Sequence, residues 1–105
     1  MTGTVEPDWH AIATFESNLI EQYADRGAVR SEHVVAFDPP FRFHAWLGTT
    51  SDAERDLLSA DPGLYRVAQR LAAAAGLEGL LSSVIVESQE TVDRDYAASW
   101  SYRLR

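Results

Sequence analysis

Four carboxylates, Glu87, Glu90, Asp93 and Asp95, fall within nine consecutive positions of this 105-residue chain. Side-chain oxygens crowded in this way can hold a hard cation such as calcium, magnesium or manganese. They can also meet a basic protein surface, or simply cap a helix and face water. The spacing lacks the Asp-x-Asp-x-Asp-Gly run of an EF-hand loop. Asp93-Arg94-Asp95 forms the Asp-x-Asp triplet that many metal-dependent glycosyltransferases use, but those enzymes need a nucleotide-binding domain larger than this whole chain. No metal and no other cofactor is expected, and the connector reads first as a solvated or helix-capping acidic loop and next as an acidic surface that meets a basic partner.

Other groups that could do chemistry are sparse. His10, His33 and His44 lie on three different predicted elements without ligand-like spacing. His44, flanked by Phe43 and Trp46 and expected near Glu87, is the one weak candidate for a general base near neutral pH. Neither Ser82-Ser83 nor Ser99 and Ser101 sits in a Gly-x-Ser-x-Gly turn, so no activated serine nucleophile is indicated. The six glycines are dispersed as caps and turns and form no phosphate loop. The balance leans against an enzyme.

Composition narrows the partners. Sixteen acidic against nine basic residues give a formal charge of -7, which repels nucleic-acid backbones and anionic membrane surfaces. All nine basic residues are arginine, as a GC-rich bacterial genome imposes; the absence of lysine removes Schiff-base chemistry, and the absence of cysteine removes disulfides and thiolate sites. No apolar run approaches the roughly 20 residues that cross a bilayer, and the first residues lack a signal-peptide pattern. A cytoplasmic protein is the expectation, folded as a single domain over 1–105 with a flexible N-terminus at 1–6.

The elements that must position these groups follow from periodicity. A helix is expected from near Pro7 to Gly27, with Trp9, Ile12, Ala13, Leu19, Ile20 and Tyr23 on one stripe. Strands follow at 31–37 and 41–47 around an Asp38-Pro39-Pro40 turn. Ser51-Asp-Ala-Glu54 reads as a capping box opening a short helix, and Asp61-Pro62 opens another that ends at Gly76. Strands are then predicted at 81–86 and 97–104. The resulting order, α-β-β-α-α-β-β, predicts an α+β fold with about four antiparallel strands and helices packed on one face.

Alternation assigns faces. Val35, Phe37, Phe41, Phe43, His33 and Ala45 are expected to turn toward the helices, and Glu32, Val34, Ala36, Arg42, His44 and Trp46 away from them. With Val84 and Val86 buried, Ser83, Ile85 and Glu87 join the open face. With Trp100, Tyr102 and Leu104 buried, Ser101 and Arg103 join it as well. The candidate binding surface is therefore Arg42, His44, Trp46, Glu87 and Arg103, adjoined by Glu90, Asp93, Asp95 and Tyr96 of the connector. Trp46 and Tyr96 are the aromatic anchors, while Trp9 and Trp100 are expected in the core.

The stretches 46–56 and 86–96 resemble those of small actinobacterial proteins, a likeness that carries no activity with it. In charge and size alone the chain is similar to the immunity proteins of bacterial toxin systems. The expected function is a non-enzymatic interaction module that masks a basic partner surface, or that self-associates through an exposed strand edge. The alternative is a small-molecule binder or modest enzyme with a pocket on the sheet face, His44 as base and Arg42 or Arg103 holding an anion, completed across a homodimer.

Overall fold

The computed structural model describes residues 7–37 and 41–104; the expected flexible residues 1–6 and the Asp38-Pro39-Pro40 turn lie outside them. Helix α1, Trp9–Tyr23, starts where the Asp8 carboxylate accepts from the Ala11 amide at 2.9 Å. It buries Ala11, Ile12, Phe15, Leu19 and Tyr23. A 3-10 turn at Ala24–Arg26 leads into Gly27, whose φ of 97° reverses the chain in a region that favours glycine.

Strands β1, Ala28–Ala36, and β2, Arg42–Thr49, pair antiparallel with His33 opposite Ala45 and Val35 opposite Phe43. That register reproduces the predicted pairing, with Glu32, Val34 and Ala36 opposite Trp46, His44 and Arg42, whereas Phe37, expected against the helices, is exposed. Helix α2, Asp52–Ser59, opens with the predicted capping box, Ser51 and Glu54 each accepting from the other's amide. Helix α3, Leu64–Ala74, follows, and the chain returns as β3, Leu81–Ser88.

The core lies between the sheet and helices α1 to α3. Phe15 meets Phe43 edge to face with ring centroids 5.5 Å apart, and Ile12, Leu19, Leu47, Leu58, Ala68, Ala72 and Leu77 close around them.

The expected four-stranded antiparallel sheet is wrong. The described residues form a three-stranded mixed sheet of order β1-β2-β3, in which β2 and β3 run parallel, with five helices. The parallel pairing has a geometric cause: residues 50–80 form a two-helix crossover, which carries the chain back to its starting end before β3 begins.

The predicted strand at 97–104 is absent for local reasons. The Ser88 hydroxyl accepts from the Thr91 amide and starts α4, Gln89–Asp95, so the connector itself is helical. Ala97 and Ala98 then take φ of 53° and 60°, and the Ser99 hydroxyl caps the short α5, Trp100–Arg103, by accepting from Tyr102. Trp100 and Leu104 share a face at helical spacing as readily as at strand spacing, and these caps decide for the helix.

Two left-handed alanines make a test of this correction. Ala98→Gly should stabilise the protein by about 0.5–1 kcal/mol in chemical denaturation, because glycine bears no Cβ penalty at positive φ. In a strand the same change destabilises by a similar amount.

Candidate functional site

The helices α4 and α5 fold back over the face that α1 to α3 leave open, so several predicted site residues meet there through different backbone than expected. Trp46, Val92 and Trp100 form a second buried cluster, with Tyr96 and Leu104 packed on it. The Arg103 guanidinium lies 4.4 Å from the Trp46 ring centroid and 5.1 Å from that of Tyr96. Its Nε donates at 2.8 Å to Glu87 Oε2. Glu87 Oε1 in turn accepts from Arg55 at 2.9 Å and from the Ser88 amide. Trp46, Glu87, Tyr96 and Arg103 are thus one clasp.

Glu87 is buried beneath this clasp, with only 4% of its surface exposed. Burial pushes its carboxyl up, but the Arg103, Ser88 and Arg55 hydrogen bonds outweigh it and hold the group below the ordinary range. Such a group stays ionised and serves as a structural anion, with no proton to trade near neutral pH.

On the other side of the clasp, Arg30 stacks on Trp100 at 4.7 Å and pairs with Glu32. Gly48 makes room for both. A Cβ there would sit 2.5 Å from Arg30 Cγ and 3.1 Å from two atoms of the Trp100 ring.

A second network occupies the carboxyl ends of the parallel pair β2 and β3, the place where open α/β sheets commonly bind ligands. Asp52 Oδ1 accepts from the Ser88 hydroxyl and from Thr91 Oγ1 at 2.7 Å, while Oδ2 accepts from Arg94 at 3.1 Å. The two hydroxyls and Arg94 lower the Asp52 carboxyl to about 2, with nearby Arg55 adding to the effect. Glu90 Oε1 accepts from the Asp52 amide at 2.7 Å. The crevice is therefore filled by the protein's own polar groups, which tie α2 to α4.

The four connector carboxylates consequently point to separate tasks. Glu87 anchors two arginines, Glu90 caps α2, Asp93 accepts from Gln89 and Asp95 pairs with Arg94. No group of three or more metal-ligating side chains gathers among the described residues. Glu90, Asp93 and Asp95 nonetheless stay exposed, and so does Asp56 on the outer side of α2.

The histidines remain apart. His10 is exposed on α1, and His33 lies 3.3 Å from Glu16 and against Trp9. His44 Nδ1 meets the Ser83 hydroxyl at 2.7 Å, a cross-strand pair in register. Arg42 is exposed at the far end of β2, away from the Glu87 clasp, and the cavity described next does not reach His44. Trp9, expected in the core, is 46% exposed, and Trp46, expected as an accessible anchor, is buried.

The cavity, of about 360 Å³, opens between the 3-10 turn and α2 and is lined by Asp25, Arg26, Glu54, Leu57 and Leu58. Leu57 is 70% exposed, the most of any large apolar side chain among the described residues. Asp25, Arg55, Thr91 and Arg94 were not singled out in the sequence. Asp25 resembles any other turn carboxylate there, and the contacts that join the other three between α2, β3 and α4 arise only through the parallel return of β3.

No helix of the described residues is long and apolar enough to cross a membrane. Comparison with family models, with curated proteins and with solved structures finds no match to this chain.

Proposed function

We propose that this protein is a small non-enzymatic interaction module whose acidic end, formed by the 3-10 turn, α2 and α4, receives a basic surface of a partner protein. The reading is carried by Leu57, an exposed apolar side chain that lines one cavity with the carboxylates Asp25 and Glu54 and directly follows Asp56 in α2. An exposed apolar residue beside carboxylates that outnumber the one lining arginine, itself paired with Asp61, has the makeup of a docking centre with a steering rim. Asp93 and Asp95 on α4 extend the same sign of charge beyond the α2 ridge.

The sheet-face pocket around His44 has weaker support. Arg103, its expected anion-holding group, is committed to Glu87 and to two aromatic rings. A half-buried guanidinium that is ion-paired and sandwiched by two rings has less left to offer a substrate.

Net charge and patch location can be separated on an immobilised polyarginine column. The variant Asp56→Arg/Asp93→Arg should elute at clearly lower salt than the wild type. Glu21→Arg/Glu78→Arg carries the same net charge, with its changes at exposed sites outside α2 and α4, and should elute near the wild type. Equal elution of the two variants overturns the docking surface and leaves only bulk charge.

A further inference from the structure

We infer that the cavity between the 3-10 turn and α2 is a receptor for one long cationic side chain, an arginine or lysine projecting from the partner. This rests on the acidic end being the docking surface and names what enters it.

The lining is split in a way that suits such a side chain. Leu57 and Leu58 supply an apolar wall for an alkyl stem, while Asp25 and Glu54 supply carboxylates for its charged head. The volume of about 360 Å³ falls at the small end of ligand cavities, ample for a side chain and too small for an extended peptide.

The charges within it do not cancel. Arg26 also lines the cavity, but its guanidinium is bound to Asp61 at 2.7 Å, and Asp61 is held low by that arginine and by the Gly63 amide. Glu54 spends Oε1 on the Ser51 amide in the capping box, which leaves Oε2 uncommitted among the described contacts. Asp25 makes no ion pair or hydrogen bond with another described side chain. Two carboxylate heads therefore face a site whose own cation is already engaged.

The backbone keeps this opening in place. Gly27 has a positive φ, and the Glu54 carboxyl packs directly where a Cβ on Gly27 would stand. Only glycine allows the carboxylate to lie against the turn, and the capping box holds Glu54 from the other side. The site is thus built from a rigid helix start and a turn of fixed geometry.

The test is an NMR titration of the full chain with three acetylated, amidated tripeptides that differ only in their central residue: arginine, lysine or norleucine. The cationic peptides should shift the amides of 25–27 and 54–58, and norleucine should bind at least about tenfold more weakly. Asp25→Asn and Glu54→Gln should each weaken the arginine peptide by about threefold. Glutamine can keep the capping-box hydrogen bond, and Asp25 lies outside it, so neither variant removes the cap. Unchanged thermal melting of each variant ties lost binding to the cavity.

Equal binding of the norleucine peptide overturns the inference, because the cavity is then merely apolar. Unchanged affinity in both variants overturns it as well. Shifts confined to α4 defeat the cavity while leaving the acidic docking surface standing, whereas no shift anywhere on α2, α4 or the turn defeats both.

Discussion

Alanine in place of Glu87 is expected to destabilise the fold by about 2–3 kcal/mol in chemical denaturation. The carboxylate is the common partner of Arg55 and Arg103, and its loss takes from Arg103 its carboxylate and from Arg55 its most buried one, leaving Arg55 with Asp52, Asp56 and Thr91. Breaking a fully buried pair in this way costs about 3–5 kcal/mol. Both arginine side chains retain 25% of their exposure, so water recovers part of that cost and the lower figure applies.

Two companion variants separate charge from shape. Glu87→Gln preserves an acceptor for one arginine and should cost less than alanine. Arg103→Ala leaves Arg55 on Glu87 but removes the cation stacked on Trp46 and Tyr96. A double-mutant cycle between positions 87 and 103 should show coupling of about 1 kcal/mol or more, since they share a contact. A cycle near zero means that the clasp contributes nothing measurable.

Trp100→Ala should cost about 3 kcal/mol, within the range for deleting a buried aromatic side chain. Trp100 fills the space between Trp46 and Val92, donates its indole N–H to Gln89 at 2.8 Å and carries Arg30 on its ring. Its removal opens a void beside Gly48. Near-UV circular dichroism should fall as Trp46 loses its fixed surroundings, while far-UV signal from α1 to α3 persists. If stability changes by less than about 1 kcal/mol, α5 is not packed on the sheet.

The parts of this fold legible in the sequence are those set by local chemistry. The Ser51 and Glu54 capping box and the β1 to β2 register each depend on residues close together in the chain, and the structure reproduces them. Strand direction was not legible, because parallel pairing is decided by where a 31-residue crossover ends and not by any residue in β3. Short alternation misled at 97–104: Trp100, Tyr102 and Leu104 fit a strand, yet Ser99 capping and two left-handed alanines made a helix.

The same distinction governs the site. Trp46, Glu87, Tyr96 and Arg103 do come together, but as a buried clasp, because helices α4 and α5 fold over the face that was expected to stay open. The surface left for a partner shifts accordingly to α2 and its neighbours. Leu57 and Leu58 are adjacent and alike in the sequence, and only the packing of Leu58 inward turns Leu57 toward water.

The decisive measurement is a titration of the isotope-labelled protein with an oligoarginine peptide, following every backbone amide at low and at raised salt. Shifts confined to residues 25–27, 52–58 and 89–95, weakening as salt rises, are the predicted result. Shifts centred on Val34, His44, Ser83 and Ile85, or shifts that ignore salt, contradict an acidic docking end and return the open sheet face to first place.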